Sequence, residues 1–75
     1  MIFCYWPLRL GGLIRHYRLK LKISQEMLAE KADIHRTYVS DIELGKVDIS
    51  ITVAFRLAKA LNISFGRLAK EAEDA

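Results

Sequence analysis

Apolar residues recur along the chain with the three-and-four spacing of amphipathic helices, in five separate segments. The apolar stripe of the first segment consists of Leu10, Leu13, Ile14, Tyr17 and Leu21. Leu19 falls outside this stripe, so we expect it on the surface. No segment alternates apolar and polar residues as a half-buried strand does, and no hairpin dipeptide interrupts the series. The pattern predicts an all-α protein, a compact bundle of five short helices.

Residues that favour helix ends stand between these segments. Ser24, Ser50 and Ser64 are good N-caps for the second, fourth and fifth helices, because a serine hydroxyl accepts a hydrogen bond from the free N–H groups of a first turn. Asp33 follows the second helix, and aspartate tolerates a left-handed backbone better than most residues. Gly45 supplies the stop of the third helix. The chain therefore predicts short helices joined by tight corners.

The third predicted helix, from about His35 to Leu44, has two chemically different faces. At roughly 100° per residue, its polar side chains share an arc of about 140° with Leu44, while Val39 and Ile42 point the opposite way. The polar residues of the arc, expected to read base edges, are Arg36, Thr37, Ser40 and Asp41. Such side chains suit a major groove, although a solvated face would look the same in isolation. The preceding helix and tight turn favour the DNA-reading interpretation.

Charge is distributed unevenly along the chain. The 75 residues carry a net charge of +3, and 52% of them are hydrophobic, a composition typical of one small globular domain. Residues 1–25 contain five basic side chains and no acidic one, whereas residues 47–75 contain four of each. A basic excess at one end suits a polyanionic partner, because neutralising phosphates releases counterions. A basic surface exposed only to solvent is the alternative.

The first eight residues, Met1 to Leu8, are almost entirely apolar. The stretch is too short to span a bilayer and lacks the features of a secretory signal, so we expect no membrane association. We interpret residues 1–8 as an arm that packs on the domain of residues 9–75 or on a second subunit; a wrongly assigned translation start is the alternative. Cys4 has no partner for an internal disulfide, so we expect a cytoplasmic protein.

Four runs of residues occur in an order and at a spacing typical of one family. They are Ile14-Arg15 with Arg18, Ser24-Gln25-Glu26 with Leu28-Ala29, Tyr38 to Glu43 with Gly45, and Leu57 to Leu61. Over residues 11–68 the chain resembles the lambda-repressor-like helix-turn-helix family of the Cro and Xre type. It departs from the family pattern at Asp33, which is usually glycine, and at Ile49, which is often proline. Neither departure lies on the predicted reading face.

The resemblance implies a transcriptional regulator that binds double-stranded DNA sequence-specifically, with the third helix in the major groove of a palindromic operator. A restriction–modification controller, a phage-repressor-like protein and a stand-alone regulator all fit, and the short length without a ligand-sensing domain favours the controller type. The resemblance assigns DNA phosphate contacts to Gln25, Ser24 and Lys46. It also implies that Arg18 and Glu43 form a partly buried, structural ion pair between the first and third helices.

The expected assembly is a symmetric homodimer, because one recognition helix reads too few base pairs for specific control. The fifth helix has an apolar stripe that Phe55 of the fourth helix extends. The interface residues predicted from this stripe are Phe55, Phe65, Leu68, Ala69 and Ala72. The alternative for Phe65 and Leu68 is that they close the core of the monomer.

Other chemistry finds little support in the sequence. His16 and His35 are isolated, no spacing typical of a metal site occurs, and Gly11-Gly12 lacks the partners of a phosphate-binding loop. We therefore expect no metal, no cofactor and no enzymatic activity. Two alternatives to a regulator remain, namely a protein-interaction module of the same fold without DNA binding and a DNA-binding antitoxin with a toxin partner.

Overall fold

A computed structural model describes residues 6–74, and within this range it contains helices and no strand. The helices are α1 (Trp6–Lys20), α2 (Gln25–Ala32), α3 (Arg36–Glu43), α4 (Ile51–Ala60) and α5 (Phe65–Asp74). The predicted all-α fold class is confirmed. In the same range, no helix has both the length and the apolar content needed to cross a membrane.

Serine side chains begin three of the helices, as their positions predict. The hydroxyl oxygens of Ser24, Ser50 and Ser64 each accept a hydrogen bond from the backbone N–H three residues further on, at 3.0, 3.2 and 3.1 Å. Each bond satisfies a donor that has no partner within the helix. Local chemistry therefore fixes where α2, α4 and α5 begin.

Three corners of the fold repeat one three-residue pattern, a left-handed residue, an isoleucine and an N-cap. The corners are Lys22-Ile23-Ser24, Asp33-Ile34-His35 and Asn62-Ile63-Ser64, and their first residues have φ of 59°, 58° and 61°. In each corner the isoleucine N–H donates to the carbonyl five residues earlier, at 3.0–3.3 Å, which is the Schellman closure of the preceding helix. The isoleucine side chains pack against the core. The left-handed backbone expected at Asp33 is confirmed.

The core lies where α1 packs on α3 and α5, and where α2 packs on α3 and α4. Its largest fully buried side chains are Leu10, Ile14, Leu28, Val39, Ile42, Leu57 and Leu68.

Leu19 is 50% exposed, as predicted. The prediction that Leu21 faces the core is wrong, since its side chain is 43% exposed. The reason is that α1 ends at Lys20, so Leu21 lies in a turn where helical periodicity no longer applies.

The start of α1 differs from the expected boundary between arm and domain. The helix begins at Trp6, so Pro7 and Leu8 belong to its first turn rather than to a separate arm. Leu8 lies against Gly45, which has a φ of 72° just after α3. A Cβ atom at Gly45 would come within 2.9 Å of the Leu8 Cα atom. The rest of the predicted arm, residues 1–5, lies outside the described residues.

The apolar stripe of α5, predicted to form a dimer interface, lies partly in the core of the single chain. Leu68 and Ala72 are fully buried within the single chain. They have no surface to offer a second copy, so their assignment to a dimer interface is corrected. Leu68 instead closes the core of the monomer, which is the alternative given in the prediction.

A polar contact ties α5 to α1. The Tyr17 hydroxyl donates to Glu71 Oε1 at 2.6 Å, and Arg67 Nε donates to the other oxygen of Glu71 at 3.0 Å. The hydrogen bond to Glu71 raises the pKa of Tyr17. The hydrogen bonds from Tyr17 and Arg67 in turn lower the pKa of Glu71. The stabilised carboxylate thus helps to hold α5 on the outer side of α1.

The packing of α1 on α3 generates a prediction about two adjacent glycines. A Cβ atom at Gly11 would overlap the carbonyl oxygen of Ile42, whereas one at Gly12 would meet nothing within 4 Å. We expect Gly11→Ala to destabilise the fold by about 1–3 kcal/mol through overpacking. Gly12→Ala, the matched control, should stabilise it by about 0.5–1 kcal/mol by lowering the entropy of the unfolded chain. Urea unfolding measures both; an equal rise in the two midpoints would contradict the close approach.

Candidate nucleic-acid interface

Helix α3 separates its buried and exposed residues as the helical wheel predicts. Val39 and Ile42 are buried, whereas Arg36 and Thr37 are exposed. Ser40 and Asp41, one turn further on, are half-buried. Leu44, the C-cap, is 57% exposed at the far end of the arc. The structure therefore brings the four predicted base-reading residues to one side of a short helix whose other side is fixed in the core.

A buried ion pair anchors the C-terminal end of α3. Arg18 Nε donates to Glu43 Oε2 at 2.7 Å, and Arg18 Nη2 donates to Oε1 at 3.2 Å. The two residues are only 8% and 7% exposed. Arg18 Nη1 also donates to the carbonyl oxygen of Ile23 at 2.9 Å, in the corner before α2. The bidentate geometry fixes the orientation as well as the distance between α1 and α3.

Gln25, the first residue of α2, contacts the same carboxylate. Its Nε2 donates to Glu43 Oε1 at 3.0 Å, and its side chain is half-buried. Glu43 therefore receives hydrogen bonds from α1 and α2 while lying on α3. One amide N–H of Gln25 is used in this way, so only the other remains to donate to a phosphate. No pattern in the sequence indicates this contact, because Gln25 and Glu43 lie 18 residues apart.

The other two residues assigned to phosphate contacts lie at opposite ends of the helix-turn-helix. Ser24 precedes α2 and is exposed; its oxygen accepts the capping hydrogen bond, and its hydroxyl proton is still available to donate. Lys46 is exposed just beyond Gly45, and its backbone N–H donates to the Asp41 carbonyl at 2.9 Å. Its ammonium group is thus carried by a backbone that is fixed to α3.

His35 has a role that sequence reasoning missed. It is the N-cap of α3, and its Nδ1 accepts a hydrogen bond from the Thr37 backbone N–H at 3.1 Å. The signal was present in the repeated corner, because His35 occupies the place that Ser24 and Ser64 occupy in the other two corners. The first turn of α3 contains no acidic residue and begins with the basic residue Arg36, directly after the His35 cap.

An apolar surface lies on α4 and α5. Phe55 is 54% exposed and stacks on the half-buried ring of Phe65, with centroids 4.5 Å apart. Ile51, one turn before Phe55, is 64% exposed, and Ala69 is half-buried on α5. We call Ile51, Phe55, Phe65 and Ala69 the α4–α5 surface. Ile51 was missed from the sequence, although its i, i+4 spacing to Phe55 could have found it.

The class of protein follows from this arrangement. Two short helices, α2 and α3, are joined by a three-residue corner, and α3 exposes a polar arc while α1 and α2 bind its inner end. This is a helix-turn-helix domain. Among residues 6–74, no group of three or more His, Cys, Asp or Glu side chains is placed to hold a metal ion.

The chain matches the family model described as Helix-turn-helix over residues 14–68, and it belongs to that family. It is 44% identical over 54 residues to control protein C.BamHI of Bacillus amyloliquefaciens, covering 71% of this chain and 67% of that protein. It is 40% identical over 67 residues to control protein C.SmaI of Serratia marcescens, covering 87% of this chain and 80% of that protein.

A solved structure shares the fold. The restriction-modification controller protein C.AhdI of Aeromonas hydrophila superposes with a TM-score of 0.80 at 32% identity, over 83% of this chain and 94% of that one. The expected fold and family are confirmed, and with them the expectation of a transcriptional regulator rather than an enzyme.

The ion pair generates a prediction about stability. Glu43→Ala leaves the Arg18 guanidinium buried without its carboxylate, so we expect it to destabilise the fold by about 3–5 kcal/mol. The exposed pair Arg67–Glu71, with side chains 69% and 34% exposed, is the control, and Arg67→Ala should leave the stability almost unchanged because solvent screens such a pair. Chemical denaturation measures both. An unchanged midpoint in Glu43→Ala would show that the pair does not hold α3.

Proposed function

We propose that this chain binds double-stranded DNA sequence-specifically and controls transcription in the cytoplasm, as a regulator of the restriction–modification controller type. The observation that carries the proposal is the polar arc that α3 turns outward. The opposite face of the same helix is buried, and its C-terminal end is anchored by the ion pair of Arg18 and Glu43. A helix held in this way can enter a major groove without losing its place in the core.

The residues of the arc have distinct proposed roles. Arg36, exposed at the N-terminal end of α3, donates to both O6 and N7 of a guanine. Thr37 and Ser40 contact a thymine methyl group or the nearby backbone. Asp41 accepts from the amino group of a cytosine, and its charge also repels phosphates in wrong registers. These contacts supply the sequence preference.

Phosphate contacts at both ends of the motif set the position of α3 in the groove. Ser24 and Gln25 donate to one phosphate through the hydroxyl and the remaining amide N–H, next to the N-terminus of α2. Lys46 neutralises another phosphate beyond the end of α3. Since Glu43 orients the Gln25 amide, the scaffold ion pair also prepares a phosphate contact.

The proposed assembly is a two-fold homodimer joined through the α4–α5 surface. Exposed Ile51 and Phe55 provide apolar area that a monomer leaves in water, at a free-energy cost of about 25 cal/mol per Å². Such a dimer presents two α3 helices about 34 Å apart, which is the repeat of a palindromic operator.

Selection of DNA fragments from a random pool, followed by sequencing, tests the proposed function. We expect an enriched palindrome whose affinity falls steeply as the salt concentration rises. Binding that is absent at every salt concentration would instead support an interaction module of the same fold. A small protein that co-purifies with the chain in stoichiometric amount would support an antitoxin.

Two variants distinguish base reading from phosphate binding. We expect Arg36→Ala to weaken binding to the selected duplex by about 1–3 kcal/mol and to relax preference at one base pair. Lys46→Ala should weaken binding equally on selected and random duplexes and lower the salt slope by about 1. Lys70→Ala on α5 makes the same charge change elsewhere and is the control. Equal losses on both duplexes in Arg36→Ala would reassign Arg36 to phosphate.

The dimer generates a separate prediction. Phe55→Asp places a charge in the α4–α5 surface, so we expect the variant to sediment as a monomer at micromolar concentration and to bind the palindrome more weakly. Leu19→Asp alters an apolar residue of similar exposure on α1 and should leave the dimer intact. A wild-type protein that remains monomeric even on operator-length DNA would contradict the dimer.

A further inference from the structure

The capping hydrogen bond of α3 fixes the tautomer of its histidine. Nδ1 of His35 accepts the Thr37 N–H at 3.1 Å, so this nitrogen carries no proton. A neutral imidazole has one N–H, and with Nδ1 acting as an acceptor the proton lies on Nε2. The cap therefore gives His35 a second function, a hydrogen-bond donor on the edge of the ring that faces away from the helix.

This donor is not used within the described part of the protein. His35 is exposed, and no hydrogen bond joins its Nε2 to any residue between 6 and 74. A serine cap, as in the other two corners, is shorter and has no second polar atom at that distance from the backbone. The imidazole therefore places a hydrogen-bond donor further from the backbone than a capping residue requires.

The charges around His35 favour a negative partner. The N-terminus of a helix carries positive partial charge, and natural helices often place an acidic residue there. In α3 the first turn has no acidic residue and begins with Arg36. The backbone N–H groups of Thr37, Tyr38 and Val39 already donate to His35. The Arg36 guanidinium, to which the first turn offers no acidic partner, is therefore the charged group that favours a negative partner beside the exposed imidazole.

We propose that His35 is a positioning residue for DNA, holding α3 through Nδ1 and donating its Nε2–H to a backbone phosphate. This inference rests on the proposed function. An N-cap lies just outside the helix that enters the groove, where the sugar–phosphate strand passes, whereas Arg36 in the first turn reaches the bases. A single N–H donor also suits a phosphate oxygen and carries no sequence information.

Replacing His35 by serine, the residue at the same place in the other two corners, separates its capping function from its function as a donor. His35→Ser introduces the residue found at Ser24 and Ser64, so it keeps a cap acceptor and removes the Nε2 donor. The hydroxyl proton that it brings lies closer to the backbone and does not extend to the position of Nε2. His35→Ala removes both. We expect the melting temperature to fall in His35→Ala and to stay near the wild-type value in His35→Ser.

DNA affinity should follow the donor and not the cap. We expect both variants to bind roughly two- to ten-fold more weakly than wild type, the range of one hydrogen bond. The loss should be equal on the selected duplex and on a random duplex of the same length. The salt slope should not change, since the assigned contact is a single N–H hydrogen bond rather than the neutralisation of a phosphate by a cation.

Other outcomes overturn the assignment. Wild-type affinity in His35→Ser would show that the histidine is only a cap, and a loss confined to the selected duplex would show that it reads a base. The wild-type protein is measured first. If it shows no salt-dependent binding, the proposed function itself fails; if it binds and His35→Ser binds equally well, only the role of His35 fails.

Discussion

The arrangement of α1, α2 and α3 depends on the hydrogen bonds that the buried Glu43 carboxylate accepts. Arg18 holds both of its oxygens and Gln25 holds one, so one buried group fixes the C-terminal end of the recognition helix against two neighbours. Burying two charges costs several kcal/mol per ion, and an apolar pair of similar volume can be as stable. An apolar contact, however, has little directional preference. The bidentate pair is directional, and direction is what a helix that must match a groove requires.

The remaining geometry comes from short local signals. Three corners combine a left-handed residue, an isoleucine in the core and an N-cap, so each ends one helix, anchors the chain and begins the next helix within three residues. Gly45 and Lys46 close α3 with the same hydrogen-bond pattern, but there Leu8 lies against the Gly45 backbone and leaves no room for a side chain. A domain with little core to spare thus obtains defined helix directions from hydrogen bonds within a few residues of one another.

These local signals are the part of the fold that the sequence predicts. The serine caps, the left-handed Asp33 and the two faces of α3 depend on neighbours within one or two helical turns. Predictions failed where the outcome depends on distant partners. The α5 stripe could not show that Leu68 is covered by the same chain, and nothing near Gln25 indicates Glu43 as its partner. For Leu21 the error was one of helix length, because periodicity was extended past the end of α1.

The two ends of α3 differ in how their charges are balanced. Its C-terminal end is neutralised by the pairing of Glu43 with Arg18, and its middle is buried through Val39 and Ile42. Its N-terminal end has an imidazole cap and Arg36, with no acidic residue to balance the helix dipole. Under the proposed function, a DNA phosphate supplies the negative charge that the first turn of α3 lacks. The fold therefore pairs the charged side chain at the end of α3 that faces the core, and at the other end it caps the backbone but places no acidic residue of the first turn beside Arg36.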